Sequence, residues 1–200
     1  MNKFGKIIMF LSSYSPLYLF IITLNYGLSD VKECIFKFRN ISETGVNDII
    51  FYVLIFLIIV PNIILKIILK QSNKYTETIK IKEIYEGNDK IVDYILAYII
   101  SFITTDFVNL KDGNINILVT GILIQILLCY LYCKGNMIYI NPVLNILFKY
   151  NIFIAKTDKN NLIILTQNNE KAYNLKEEIS ENGFKNIRLN CFSHGIYILK

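Results

Sequence analysis

Side chains able to perform chemistry are few and widely separated in this chain. Its one histidine, His194, lies in a predicted turn, and the four cysteines form no C-x-x-C pair. The sequence contains no G-x-x-x-x-G-K loop for binding phosphate, and neither a G-x-S-x-G nor an H-E-x-x-H motif. The pattern therefore predicts no catalytic residue, no metal site and no cofactor.

Polar residues inside long apolar runs are the better candidates for a functional role. A charge, or an amide without a hydrogen-bond partner, is costly in the hydrocarbon of a bilayer. Gln125 is expected to bond to a neighbouring helix, and Asn62 to the carbonyls freed by the proline before it. Asp106 fits an interfacial position better than a proton path. Ser13 and Ser15 favour close helix packing over the lining of a conduction path.

Hydropathy indicates which elements must hold these residues. Residues 49–65 contain no charge, and a helix of about 20 apolar residues crosses a bilayer. Hydrophobic residues make up 54% of the chain and charged residues only 18%, against about 25% in soluble domains. The sequence therefore predicts an integral membrane protein whose residues 1–135 form an α-helical bundle of four transmembrane helices. The expected spans are about 7–28, 48–69, 91–108 and 115–132.

The distribution of Lys and Arg predicts the orientation. With both chain ends in the cytoplasm, 17 of the 21 basic residues lie inside, which follows the positive-inside rule. The exceptions are Lys32, Lys37, Arg39 and Lys111. The third span is the weakest of the four, and this bias largely disappears if it does not cross. A net charge of +5 spread over the chain indicates no direct contact with nucleic acid.

The last 50 residues have a different pattern. Residues 151–200 are expected to form a small cytoplasmic α+β domain with the order β-β-α-β-β. Its helix begins at Asn168 or Asn169 and ends at Asn182-Gly183, where glycine permits the left-handed conformation. Such a short segment buries too little surface to be secure alone. It therefore needs the membrane bundle, another copy of itself or another protein.

A linker, residues 136–150, joins the two parts. Asn141 and Pro142 predict the start of a helix that is either interfacial or a continuation of the fourth span. Together with Tyr150 and His194, these two residues are the candidates for contact with a partner protein.

Two stretches resemble a known family. Residues 10–23 (FLSSYSPLYLFIIT), with Ser13, Ser15 and Pro16, and residues 139–155 (YINPVLNILFKYNIFIA) are similar to the opening and the tail junction of the KwaA family. These are the membrane subunits of the bacterial anti-phage Kiwa system. Lys149-Tyr150 stands where that family has Gly-Tyr. The resemblance implies a homo-oligomer in the inner membrane, such as a tetramer, with a cytoplasmic effector like KwaB that binds DNA.

The sequence therefore predicts a non-enzymatic sensor or scaffold that sits in the lipid bilayer. The resemblance implies that it also assembles with copies of itself and recruits a soluble effector. The alternative is an oligomeric small pore or transporter. A transporter would normally show internal repeats and helices broken at the midplane. No repeat is visible, and residues 61–62 give the one sign of a break.

Overall fold

The computed structural model describes residues 3–38, 45–71, 76–96, 115–135 and 137–199. Within these ranges lie eight α-helices, one short 3-10 helix at Met137–Tyr139 and six strands. The α-helices are α1 (Lys3–Ser13), α2 (Ser15–Asn25), α3 (Leu28–Lys37), α4 (Val46–Gln71), α5 (Asp89–Tyr94), α6 (Ile115–Lys134), α7 (Pro142–Ile146) and α8 (Asn169–Asn182). The strands are β1 (Thr76–Ile81), β2 (Glu83–Glu86), β3 (Asn151–Lys156), β4 (Asn161–Thr166), β5 (Lys185–Ser193) and β6 (Ile196–Leu199).

The helical part differs from four uninterrupted spans. Among the described residues, α4 alone is a single helix long and apolar enough to cross a bilayer. The first predicted span is two helices, α1 and α2, which pass the same test only as one bent pair. Within α6, Val119–Lys134 is apolar but shorter. Most of the third predicted span, including Asp106, lies outside the described residues. The four-helix bundle is therefore only partly reproduced.

The bend between α1 and α2 is about 40° and has a local cause. Pro16 lies in the first turn of α2 and has no N–H, so the carbonyl four residues before it loses its helical partner. The Tyr14 N–H instead bonds to the Leu11 carbonyl three residues back. Two short helices that meet at an angle replace the single span.

A proline also lies inside α4, but there the helix continues. Pro61 removes one N–H from the ladder. The Asn62 Nδ2 donates to the Ile58 carbonyl at 2.6 Å, beside the carbonyl that Pro61 leaves without a partner. Its other hydrogen goes to the Ser15 hydroxyl, so Asn62 bonds next to the freed carbonyl and not, as the sequence predicted, to the freed carbonyl itself.

The six strands form one sheet in the order β1-β5-β6-β4-β3-β2. Neighbouring strands are antiparallel except for β4 and β6, which run parallel. The order β-β-α-β-β predicted for the tail is confirmed. The Asn168 side chain accepts a hydrogen bond from the Lys171 N–H at the start of α8, and Gly183 ends the helix at φ 74°.

Alternation along the strands gives the sheet two buried faces. In β3, Ile152 points toward the helices of the body, whereas Phe153 points toward α8. The α8 face packs against Ala172, Leu175 and Ile179. The opposite face shares one hydrophobic cluster with α1, α2, α4 and α7. The sheet is thus packed between a helix of its own and the helical body.

Two strands of this sheet come from outside the predicted tail domain. Residues 76–86 were expected to be a cytoplasmic loop, yet they form β1 and β2, the two edges of the sheet. Ile81 is fully buried in the cluster beneath α8, and Ile84 is buried with it. The segment before α5 is therefore part of the folded domain and joins it to the end of α4.

Replacing Ile81 by alanine should test this assignment. Because the side chain is fully buried, we expect the free energy of unfolding to fall by about 2–4 kcal/mol. Lys80→Ala, one residue earlier on an exposed position, should change it little. Chemical denaturation of the purified protein, followed by circular dichroism, measures both. Equal and small effects of the two substitutions would indicate that residues 76–86 form a solvated loop instead of two strands.

In the linker a short helix, α7, begins at Pro142 with Asn141 as its cap. It neither continues α6 nor forms one long helix, because α6 ends at Lys134 and α7 spans only Pro142–Ile146. Val143 and Leu144 are buried against the helical body, while Ile146 and Leu147 are exposed.

Candidate functional site: a buried polar network

The structure brings together polar residues that are far apart in the sequence. Ser12 and Ser15 flank the bend between α1 and α2, Asn62 lies in α4 and Asn141 precedes α7. Ser12 and Asn141 are completely buried, and Ser15 is nearly so. These four residues form one hydrogen-bonded cluster, called here the polar network.

Asn62 connects α4 to the bent pair. Its Oδ1 accepts a hydrogen bond from the Ser12 hydroxyl at 2.7 Å. Its Nδ2 donates to the Ser15 hydroxyl at 2.9 Å and to the Ile58 carbonyl at 2.6 Å. One amide side chain therefore contacts both sides of the bend and fixes its position on α4.

Asn141 connects the linker to the same place. Its Oδ1 accepts from the Val143 N–H at 2.9 Å and so caps the start of α7. Its Nδ2 donates to the Met9 carbonyl and to the Ser12 hydroxyl, at 3.2 and 3.3 Å. All the hydrogen-bonding capacity of the amide nitrogen is used, so the chain entering the sheet is fixed to α1.

A second branch begins at Ser13. Its hydroxyl donates to the Phe10 carbonyl at 2.7 Å and lies 3.0 Å from the Tyr94 hydroxyl at the end of α5. The Tyr14 ring meets the Tyr94 ring edge-on, with centroids 6.2 Å apart. Because α5 follows β2 directly, this branch makes a second connection between the bent pair and the sheet.

The polar network consists of neutral amides, hydroxyls and carbonyls. No member can act as a general acid or base near neutral pH. Among the described residues, no three His, Cys, Asp or Glu side chains are grouped as metal ligands. A buried amide that loses its partners costs more than the bond itself contributes. The arrangement is therefore suited to fixing one relative position of the helical body and the sheet.

The other residues singled out from the sequence lie elsewhere. Pro142 and Tyr150 are buried, like Asn141, and contact the protein's own core. His194 is exposed in the turn between β5 and β6. Ser13 and Ser15 are buried in the described part of the helical body, where Ser13 bonds to the Phe10 carbonyl and Ser15 accepts from Asn62. Asp106 lies outside the described residues.

A family model described as "Anti-phage protein KwaA" matches residues 5–198. The chain belongs to the KwaA family. No curated protein and no solved structure matches it. The resemblance noted in the two sequence stretches is therefore confirmed, and it extends over the helical body and the sheet alike. Membership of the KwaA family places the chain in anti-phage defence.

This KwaA family member holds a second polar cluster at the N-terminal end of α4, which sequence analysis missed. The Cys34 thiol of α3 donates to the Asp48 carboxylate at 3.2 Å, and the Tyr52 hydroxyl donates to the Cys34 carbonyl at 2.6 Å. Burial, followed by the neighbouring Asp48, raises the pKa of Cys34 to about 11, so the thiol stays protonated at neutral pH. Lys37 pairs with Glu33 at 2.8 Å. The cluster holds α3 across the start of α4.

Gln125 lies in α6, away from both clusters. Its Nε2 is buried and, among the described residues, has no hydrogen-bond partner. The expected bond to a neighbouring helix is thus not seen in the described part of the chain.

Gln125→Leu should therefore leave the stability of the protein unchanged or raise it by about 1 kcal/mol, because no bond is lost and a buried amide is removed. Thermal unfolding in detergent, followed by circular dichroism, measures the effect. Gln125→Met keeps the length of the side chain and separates the loss of the amide from the change of shape. A clear fall in the melting temperature of both variants would show that the amide has a partner.

Proposed function

We propose that this chain is a non-enzymatic sensor and scaffold of anti-phage defence, embedded in the bacterial inner membrane. It assembles there with copies of itself and recruits a cytoplasmic, DNA-binding effector of the KwaB type. The observation that carries the proposal is the polar network, which joins a bent, membrane-length helix pair to the sheet through fully buried Asn141.

The exposed side chains of α4 support a lipid environment. Large apolar side chains follow one stripe along the whole helix: Ile49, Val53, Phe56, Ile59, Ile63 and Ile67. Such a stripe is unfavourable in water, whereas acyl chains cover it without cost. Asn62, the polar residue of the middle of α4, turns inward to Ser12 and Ser15.

The proposed orientation follows from how the helices pair. Ser12 contacts Asn62 and Tyr26 contacts Asn47, so the bent pair runs antiparallel to α4. This pairing puts the basic ends of α1 and α4 on one side, where the Lys6 amine also reaches the Cys133 carbonyl at the end of α6. The positive-inside rule assigns that side to the cytoplasm. The sheet follows α4 and α6 on the same side, where a soluble effector can reach it.

In this scheme a disturbance of the bilayer changes the bend between α1 and α2. Because Asn141 and Asn62 share the Ser12 hydroxyl, a change in the bend alters the bonds that fix the linker. The sheet then changes its position or its mobility, and the bound effector is released or activated. No catalytic step by this chain is required.

Co-purification with the effector tests the proposal. The full-length chain, tagged and co-expressed with its KwaB-type effector, should retain the effector after membrane solubilisation and should protect cells from phage. A chimera in which residues 151–199 are replaced by an unrelated domain should lose both. Retention of the effector by that chimera, or ion flux through liposomes containing the chain alone, would contradict the scaffold and favour a pore.

A further inference from the structure

The short helix α3 presents an apolar surface at the end of the protein opposite the sheet. Leu28, Ile35, Phe36 and Phe38 are all more than 60% exposed, although each is large and apolar. At 100° per residue these side chains lie on one half of the helix. The other half carries Ser29, Asp30, Glu33 and Lys37.

Contacts at both ends of α3 fix its depth relative to the proposed span. The Tyr26 hydroxyl donates to the Asn47 carbonyl at 2.8 Å, so α2 ends where α4 begins. Cys34 contacts Asp48 and Tyr52, and the Phe38 ring lies 5.3 Å from the Tyr52 ring. These contacts involve only the first two turns of α4. Thus α3 lies across the end of α4 rather than along it.

We propose that α3 is an amphipathic helix that lies in the plane of the bilayer surface, with its apolar half inserted among the phospholipids of the outer leaflet. The inference rests on the proposed function, because it requires α4 to cross the membrane. It adds a lipid-binding element to the sensor, on the side of the membrane away from the sheet.

Two observations favour lipid over a second protein as the occupant. The contacts of Cys34 and Phe38 lie in the first two turns of α4. The exposed stripe of α4 begins in the same turns with Ile49 and continues with Val53, so both apolar surfaces are near the same lipid. Lys32 lies within the apolar half of α3 and is exposed. If the helix lies in lipid, the Lys32 amine can extend to the phosphate groups at the membrane surface, whereas contact with a protein surface would bury its charge.

The polar half of α3 faces a cavity of about 280 Å³ whose lining includes Asp30, Glu33 and Asp48. The carboxylates keep this side of the helix in water. The Cys34–Asp48 bond prevents rotation of α3 about its axis. The helix is therefore held with one half toward water and the other toward lipid.

Single tryptophans test the inference directly, because the chain contains none. Ile35→Trp places the probe on the apolar half of α3, and Glu33→Trp is the matched control on the polar half. Ile63→Trp reports on the exposed stripe of α4. Each full-length variant is reconstituted in phospholipid vesicles and quenched with acrylamide from water or with lipids brominated near the headgroup or near the chain ends.

The apolar face of an interfacial helix is buried about 5–10 Å into the boundary between headgroups and acyl chains. Ile35→Trp should therefore be quenched most by lipid brominated near the headgroup. Acrylamide should quench it roughly threefold less than it quenches Glu33→Trp. Phe36→Trp should repeat the result if Ile35→Trp does not fold. The inference would be overturned if acrylamide quenched Ile35→Trp and Glu33→Trp equally. It would also be overturned if neither acrylamide nor brominated lipid quenched Ile35→Trp. In both cases Ile63→Trp would still be quenched by lipid brominated near the chain ends. Loss of the Ile63→Trp response would instead overturn the membrane span itself.

Discussion

Asn141→Ala is expected to lower the free energy of unfolding by about 3 kcal/mol, because it removes a helix cap and a buried double donor at once. The Met9 carbonyl and the Ser12 hydroxyl would each lose a partner in the core. Of the connections described above, the apolar contacts and the Ser13–Tyr94 branch would still join the sheet to the helical body. We expect phage protection to fall sharply while the chain still reaches the membrane.

Two control variants separate the parts of this effect. Asn141→Ser keeps an oxygen able to cap α7 but cannot span the distance to α1, so it should recover only about 1 kcal/mol. Asn145→Ala removes a half-buried amide of the same linker whose bonds, to the Tyr150 carbonyl and to Asn151, stay within the sheet side. Thermal unfolding and phage plating measure all three. If Asn145→Ala were as damaging as Asn141→Ala, the link to α1 would have no special role.

Asn62→Leu is expected to weaken the polar network from the side of α4. The substitution removes the bonds to Ser12 and Ser15 that hold the bend on α4. Hydrogen bonds between helices in lipid contribute about 0.6 kcal/mol on average and up to about 1.7. A loss of about 1–2 kcal/mol is therefore expected, since both serine hydroxyls can turn back to helix carbonyls.

The comparison with Gln125→Leu makes this prediction specific. Both substitutions replace an amide by leucine in an apolar helix, but only Asn62 has bonds to lose in the described structure. Melting temperature and phage protection should therefore fall for Asn62→Leu and not for Gln125→Leu. Similar losses in both would assign the effect to amides in general rather than to the polar network.

Sequence analysis singled out Ser15, Asn62 and Asn141, but it found neither Ser12 nor the network that joins them. Ser15 and Asn62 were noticed because polar groups are rare in apolar runs, and Asn141 because Asn-Pro predicts the start of a helix. Ser12 is 50 positions from Asn62 and 129 from Asn141, and no local pattern reports contacts at such separations. Ser15, Asn62 and Asn141 were thus assigned separate roles, whereas the structure gives them a common one.

The two edge strands were missed for a different reason. Thr78-Ile79-Lys80-Ile81 alternates as a half-buried strand does, but five charged residues between positions 77 and 86 gave the segment the composition of a loop. Charges, especially Lys, are typical of edge strands because they discourage pairing with other chains. The tail strands, which are mostly internal and apolar, were recognised correctly.

Helix α3 shows the limit of counting charges. Lys32 and Lys37 counted against the predicted orientation because they fell in an outer loop. In the structure Lys37 pairs with Glu33 and lies near Asp48, so its charge is locally neutralised. The amphipathic pattern of residues 28–38 was available in the sequence, but a ten-residue helix gives a weak periodic signal.

The most direct test of the coupling is hydrogen–deuterium exchange of the full-length protein in lipid nanodiscs, comparing the wild type with Asn62→Leu. Asn62 is in α4, and its described hydrogen bonds go to Ser12, Ser15 and Ile58 of the helical body. If the polar network holds the sheet in place, backbone amides of 142–156 and of β6 will exchange faster in the variant, while Gln125→Leu leaves them unchanged. Identical exchange of these segments in all three proteins would contradict the coupling.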